Sequence, residues 1–99
     1  MARFDLHHLS RGRGGYVVDV QSSQLDYLGS RVVAPLRKRA DVRPIADLHP
    51  EVEFGGARYV LMTHAVFAVP RREMGPVLGN LAAFRDEITR AFDVLLTGF

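Results

Sequence analysis

The chain has 99 residues, with 13 Lys or Arg against 11 Asp or Glu, and a formal net charge of +2. This length suits one domain, and so small a charge does not by itself predict nucleic-acid binding. There is no cysteine, which excludes a disulfide framework and a thiolate metal site. No apolar run approaches the ~18 residues of a membrane span, and the first residues lack the apolar core of a signal peptide. We therefore expect a cytoplasmic protein.

Three short strands are predicted in the first part of the chain. Alternating apolar and polar residues indicate a strand at 3–6, and a Gly-rich loop at 10–15 leads to a second strand at 16–20. Residues 31–36 form the third strand. Because Pro35 lacks an N–H group, we expect it at a sheet edge or a strand end.

The middle of the chain predicts a hairpin after a polar connection. Two alternating runs, 51–54 and 57–62, flank a Gly55-Gly56 pair, which is typical of a two-residue turn. One further strand is expected at 66–69. Short strands separated by turn signals favour a barrel or two small sheets.

A single helix is predicted near the end of the chain. Asn80 is its expected N-cap, and Gly98 is the expected residue just past its last turn, so the helix should end near Thr97. Apolar residues recur at helical spacing along one face, with the core expected at Phe84, Ile88 and Phe92. The full set is Leu81, Phe84, Ile88, Phe92, Leu95 and Phe99. The predicted fold class is mainly β with one C-terminal helix.

The last helical turn carries apolar residues away from that face. Leu96 is rotated roughly 100° from Leu95, and Phe99 lies beyond the glycine. Burying a phenyl ring stabilises a protein by about 1.5–3 kcal/mol. The ring therefore either folds back onto its own domain or anchors a partner, and both interpretations stay open here.

The residues that might carry chemistry give weak signals. The four histidines lack the spacing of a zinc site, so we expect no metal and no cofactor. Ser22, Ser23, Asp19 and His64 are the residue types of a hydrolytic triad, but no Gly-x-Ser-x-Gly elbow accompanies them. We expect no catalytic residues.

Two basic stretches are candidates for binding an acidic partner. Arg11-Gly-Arg-Gly-Gly could cradle a phosphate through backbone N–H groups, although a mobile loop is the simpler explanation. Arg37, Lys38, Arg39 and Arg43 form a second basic cluster. This cluster is either a solvated face or a site for an acidic peptide or a nucleic-acid backbone.

Many residues, taken in order, resemble the CcdB family of toxins from bacterial toxin–antitoxin modules. No short motif among them is diagnostic, and the ordered set spans nearly the whole chain. These residues are Val18-Asp19-Val20-Gln21-Ser22, Asp26, Gly29, Arg31, Val33, Pro35-Leu36, Leu48, Pro50-Glu51-Val52, Gly55, Met62-Thr63, Val69-Pro70, Arg85, Ile88 and Ala91. The resemblance implies an SH3-like small barrel with an inserted three-stranded sheet, the CcdB/Kid-like toxin fold.

The resemblance also implies a function. A CcdB-like protein is a homodimeric toxin, not an enzyme, which binds the DNA gyrase A subunit and traps gyrase on cleaved DNA. A CcdA-like antitoxin neutralises it with an acidic tail, and their complex represses its own promoter and serves plasmid maintenance. DNA is then contacted only through the antitoxin complex. We expect the tail to bind the basic residues Arg11, Arg13, Arg37, Lys38, Arg39 and Arg43.

The resemblance assigns a topoisomerase-binding surface to the end of the helix and a segment after the second strand. Its residues are Gln24, Leu25, Asp93, Leu96, Thr97, Gly98 and Phe99. Thr97 stands where the family has tryptophan, and losing such an anchor costs ~2–4 kcal/mol. Either the target surface differs, the target is a gyrase relative, or poisoning has been lost.

Two alternatives to topoisomerase poisoning remain open. A ribonuclease of the related toxin fold would hold phosphate with Arg11, Arg13, Arg31 and the 37–39 cluster, but the sequence offers no clear acid–base pair. A homologue that binds antitoxin without being toxic would also fit the Thr97 substitution.

Overall fold

A computed structural model describes residues 2–9 and 15–98 of the chain. Within this part the chain forms seven strands and one helix, joined by short turns. They are β1 (Asp5–Leu9), β2 (Val17–Asp19), β3 (Ser30–Lys38), β4 (Glu51–Phe54), β5 (Ala57–Leu61), β6 (Phe67–Pro70), β7 (Met74–Asn80) and α1 (Arg85–Thr97). None of the helices described there is long and apolar enough to cross a membrane.

Strand β3 is the centre of the sheet. It pairs antiparallel with β2 along one side, while the other side pairs first with β6 and then, beyond Pro35, with β5. The strand order is β4-β5-β3-β2-β1-β7, with β6 attached to β3. The end of β3 with β5 and β4 makes a small three-stranded sheet, and the other strands curl into a half-barrel. The predicted fold class is therefore confirmed.

The prediction that Pro35 lies at an edge or a strand end is wrong. Pro35 pairs with Val17 in the middle of the sheet. Its missing N–H is tolerated because β3 changes partner there: β6 pairs up to Val33, and β5 begins at Leu36. The Pro35 carbonyl still accepts a hydrogen bond from the N–H of Met62 at 2.9 Å.

The hairpin β4–β5 is confirmed, with positive φ angles at both turn glycines, +60° and +78°. Strand β7 was missed by the sequence analysis. It carries two glycines and a proline and pairs only with β1, with irregular register. A Cβ at Gly79 would lie 2.6 Å from Cε1 of Phe54, so close packing rather than turn formation accounts for that glycine.

Helix α1 ends as predicted and begins later than predicted. Gly98 has φ +83°, and its N–H donates to the Val94 carbonyl, which makes it the expected C-terminal cap. Asn80 does not cap α1: its Oδ1 accepts from the Ala82 N–H at 2.7 Å and opens a separate turn before the helix. The helix begins at Arg85, after Phe84.

The core lies between the inner face of the sheet and α1. Its fully buried members include Leu6, Val18, Leu61 and Ile88. Phe84 and Phe92, expected in the core, pack against it while remaining half-buried. Ala91 is fully buried instead.

Candidate functional site

An apolar groove lies between the 22–28 segment and the last turns of α1. Its volume is about 400 Å³. Leu96 is 75% exposed, Leu25 39% and Leu28 37%. Clustered exposed leucines of this kind mark an interaction surface, because water contact with them opposes the hydrophobic effect. The residues lining the groove are Val20, Gln21, Ser22, Leu25, Leu28, Ser30, Val32, Val66, Phe92, Leu95 and Leu96.

A buried ion-pair network holds the 22–28 segment. Arg31 is fully buried, with Nη2 2.7 Å from Oδ2 of Asp19 and Nη1 2.7 Å from Oδ1 of Asp26. Asp19 lies in the core, whereas the Asp26 side chain is 44% exposed at the surface. The guanidinium fork can bond both carboxylates at once. Arg31 thus ties the segment to strands β2 and β3.

Gln21 completes this network. Its Nε2 donates to the Leu25 carbonyl at 3.0 Å, and its Oε1 accepts from the Val32 N–H at 2.9 Å. Its own N–H donates to Oδ1 of Asp19 at 3.1 Å. Leu25 is therefore positioned over the groove by buried polar contacts rather than by strand pairing.

Arg31 remains charged in this setting. Burial by itself lowers the pKa of Arg31, but hydrogen bonds to Asp26 and Asp19, together with their charges, raise the pKa overall. The expected role of Arg31 as a phosphate ligand in a ribonuclease is wrong, because its side chain is buried and already paired.

The structure brings together only part of the expected topoisomerase-binding surface. Leu25 and Leu96 line the groove, while Gln24, Asp93, Thr97 and Gly98 are exposed outside it. The Thr97 hydroxyl donates to the Asp93 carbonyl at 2.6 Å, so it turns back onto the helix. Phe99 lies outside the described residues.

Sequence reasoning missed other residues of this groove. Leu28 was not assigned a role, and Phe92 was assigned to the core. Phe92 and Leu95 are half-buried and line the groove. The available signal was the close spacing of Phe92, Leu95 and Leu96, which makes the apolar stripe wider than one helix–sheet contact needs.

Four of the six residues expected to bind antitoxin fall within the described part of the chain. Arg37, Lys38, Arg39 and Arg43 are all exposed. The Nε atom of Arg39 lies 3.3 Å from Oε1 of Glu51. Arg11 and Arg13 lie outside the described residues.

Arg37 and Lys38 border a second groove, with a volume of about 510 Å³. Three rings line it in sequence, and we call them the aromatic row: His8, Tyr16 and Tyr59. The ring centroids of His8 and Tyr16 are 4.6 Å apart, and those of Tyr16 and Tyr59 are 5.5 Å apart. The carboxylate of Asp41 also borders this groove.

The residue types of a hydrolytic triad do not come together. Asp19 is paired with Arg31, and His64 pairs with His49, whose Nε2 lies 2.7 Å from Nδ1 of His64. The Ser22 hydroxyl accepts from the backbone N–H of Gln24 at 3.2 Å. Across residues 2–9 and 15–98, no three His, Cys, Asp or Glu side chains are grouped as metal ligands.

The His49–His64 pair has a fixed proton arrangement. Nδ1 of His49 accepts from the Ile45 N–H at 3.0 Å, so Nε2 carries the proton and donates to His64. Burial, and then the charge of His64, lowers the pKa of His49. Protonating His49 would place a proton on Nδ1 and break the bond to Ile45.

Comparison with known proteins identifies one matching family and several proteins of similar fold. A family model described as CcdB protein matches residues 3–98. An endoribonuclease solved with its cognate antitoxin, from a mycobacterial species, has a TM-score of 0.79 at 17% identity and covers 97% of this chain and 94% of its own. The Mycobacterium tuberculosis toxin MazF-mt6 has a TM-score of 0.75 at 17% identity, covering 90% and 92%. Another mycobacterial endoribonuclease has a TM-score of 0.79 at 15% identity, covering 97% and 90%.

These neighbours correct one expectation from the sequence. The expectation that the protein is not an enzyme is contradicted, because proteins named as endoribonucleases share the fold over nearly the whole chain. At identities of 15–18% the likeness establishes the fold alone, so the neighbours do not locate a catalytic residue in this chain.

Proposed function

Because this chain belongs to the CcdB family, whose members are toxins of toxin–antitoxin modules, we propose that it binds a type II topoisomerase, the DNA gyrase A subunit or a relative. The apolar groove with its exposed leucines is the observation that supports this proposal. Leu25 and Leu96 are 71 positions apart in the sequence, yet they line the same groove. We place the protein in the cytoplasm, where such a target is found.

The groove has the anatomy of a protein contact. Exposed Leu25 and Leu96 line it together with half-buried Phe92 and Leu95. Binding energy is concentrated where apolar side chains enter a pocket that excludes water. A partner that covered this groove would remove three exposed leucines from solvent.

The contact differs from the family pattern at Thr97. Its hydroxyl is bonded within the helix, so only its methyl group is offered to a partner. The exposed apolar surface near the end of α1 is supplied by Leu96 instead. We infer that Leu96 supplies part of the apolar contact area that other family members obtain from an indole ring.

The experiment compares two leucines with equal exposure. Leu25 and Leu78 are each 39% exposed, but only Leu25 lines the groove. Leu25→Asp should abolish topoisomerase-dependent DNA cleavage complexes and growth arrest, whereas Leu78→Asp on β7 should leave both intact. The purified chain would be assayed with gyrase and with topoisomerase IV from its host. Absence of cleavage complexes with both enzymes, or full activity of Leu25→Asp, would refute the proposal.

A cognate antitoxin is the second proposed partner. Exposed Arg37, Lys38, Arg39 and Arg43 suit an acidic segment that folds on binding. The endoribonuclease neighbour was solved with its own antitoxin. Association rates that fall as ionic strength rises would support this site, and rates insensitive to salt would count against it.

The homodimer and autoregulation are proposals that rest on the family. Light scattering on the purified chain measures the first directly. Repression of the module's own promoter requires the antitoxin, so it is measured with the complex and is absent for the toxin alone.

RNA cleavage is a second candidate activity, favoured by the structural neighbours named as endoribonucleases. Incubating the purified chain with single-stranded RNA tests it. Growth arrest with cleaved RNA and no trapped DNA breaks would select this activity over topoisomerase poisoning.

A further inference from the structure

We propose that the aromatic row, with Arg37 and Lys38 beside it, binds single-stranded RNA. This groove is separate from the apolar groove and shares no lining residue with it. The inference concerns binding, so it stands whether or not the bound strand is cleaved and whether or not a topoisomerase is the target.

Strand register places the rings and a cation on one surface. Lys38 of β3 lies directly opposite Tyr59 of β5, and directly paired residues project from the same face of a sheet. Tyr16 is fixed beside them because its carbonyl accepts the Leu36 N–H at 2.9 Å. His8, Tyr16, Tyr59 and Lys38 thus border the same groove, and the half-buried rings of Tyr16 and Tyr59 meet edge to face at 81°.

His8 is held at one end of the aromatic row. Its Nδ1 donates to the Gly15 carbonyl at 2.9 Å, which fixes the tautomer and leaves Nε2 facing away as an acceptor. The imidazole is exposed, and its ring plane is tilted 31° from that of Tyr16. An exposed ring with a fixed orientation is a ready surface for a base to stack on.

Charge alone does not account for the groove. Arg37 and Lys38 contribute two positive charges, and Asp41 removes one. An acidic segment such as the proposed antitoxin tail could pair with Arg37 and Lys38, but it would leave the three rings without a partner. Single-stranded nucleic acid combines a phosphate backbone with stacking bases, and each stacked base contributes energy whatever its sequence. RNA loops and single strands are recognised in this way.

The test measures fluorescence anisotropy of a labelled oligouridine of about eight nucleotides, within the usual range of single-strand sites. The probe carries 2′-O-methyl groups, so it cannot be cleaved through the 2′-hydroxyl and the result is independent of ribonuclease activity. Tyr59→Leu should weaken binding by about 5- to 100-fold, the equivalent of one stacked base. Tyr59→Phe keeps the ring and should bind like wild type.

A charge-matched pair tests the backbone contact. Arg37→Ala should lower the dependence of log K on log salt concentration by about 0.7, the slope for one phosphate of a single strand. Arg43→Ala removes the same charge from a residue outside the groove and should leave the slope unchanged. Circular dichroism and thermal melts confirm that each variant is folded.

Several results would overturn the proposal. They are no binding of the probe by wild type, equal losses in Tyr59→Leu and Tyr59→Phe, or equal effects of Arg37→Ala and Arg43→Ala. An oligoglutamate that binds more tightly than the RNA, and that Tyr59→Leu does not weaken, would assign the groove to an acidic protein segment instead.

Discussion

The two grooves are built by different means. The apolar groove joins the irregular 22–28 segment to a helix end, and Arg31 and Gln21 hold that segment through side-chain contacts. The aromatic row lies on or beside paired strands, so backbone register positions it. A surface held by a few buried polar groups is vulnerable to single substitutions, whereas a surface held by a ladder of backbone bonds is not. Substitutions in each of the two surfaces therefore test this difference.

The largest effect is expected for Arg31→Met. It leaves Asp19 charged, buried and without its partner, which costs about 3–5 kcal/mol of unfolding free energy. Arg37→Met, at an exposed position of the same strand, should change stability by less than about 0.5 kcal/mol. Urea unfolding measures both variants. If Arg31→Met costs no more than Arg37→Met, the network does not support the segment.

A smaller effect is expected for Thr97→Trp. An indole at this exposed position adds an anchor beside Leu96 and should tighten topoisomerase binding by about 2 kcal/mol, or roughly 30-fold. RNA binding by the aromatic row should not change. Surface plasmon resonance with the host gyrase A subunit measures the first, and anisotropy measures the second. A weakened topoisomerase complex would show that this target surface has no room for the ring.

Gly98→Ala should cost about 1 kcal/mol, because φ is +83° there and a Cβ would meet no atom within 4 Å. The loss of stability therefore comes from backbone strain and not from a steric clash. It is confined to the end of α1, on the side of the apolar groove. Gly29→Ala is the matched control, since its Cβ would also meet nothing within 4 Å and its φ is not positive. Thermal melts of the two variants compare them, and equal melting temperatures would contradict the capping role.

The smallest expected effect is the contribution of His49 to the pH dependence of stability. The pKa of His49 is lowered in the native state from its ordinary value of 6.5, so the unfolded chain binds the proton more readily. Stability should therefore fall as pH drops through 6.5 and stop falling below the native pKa. His49→Gln should flatten this part of the profile, measured as melting temperature against pH. A profile unchanged by the substitution would exclude His49 as its source.

The fold was largely readable from the sequence because its signals are local. The Gly55-Gly56 turn, the alternation of the flanking strands and the Gly98 cap each depend on a few neighbouring residues, and the structure confirms all of them. Strand β7 could not be predicted from the sequence. Its glycines are required by close contacts with Phe54 and His8, which are distant in the sequence, and not by residues next to them in the chain. The position of Pro35 was predicted wrongly for a similar reason. A proline is tolerated in the middle of the sheet only because β3 changes its pairing partner there.

The candidate sites were only partly readable. Leu25 and Leu96 were assigned to one surface through the family resemblance, and they do line one groove. The role of Phe92 and Leu28 in that groove, and the alignment of His8, Tyr16 and Tyr59, are properties of distant segments in contact. No spacing rule along the chain reports such contacts.

Most of the elements, the fold class and the family follow from the sequence alone, because periodicity, turn residues and ordered identities can be recognised along the chain. Which charged side chains are buried and which face solvent depends on how the strands pack in the folded chain. Arg31 and Arg37 look alike in the sequence. In the structure Arg31 is buried and paired with two carboxylates, whereas Arg37 faces solvent. The physical difference is desolvation: Arg31 loses its contact with water only when strands β2 and β3 pair and bury it beside Asp19.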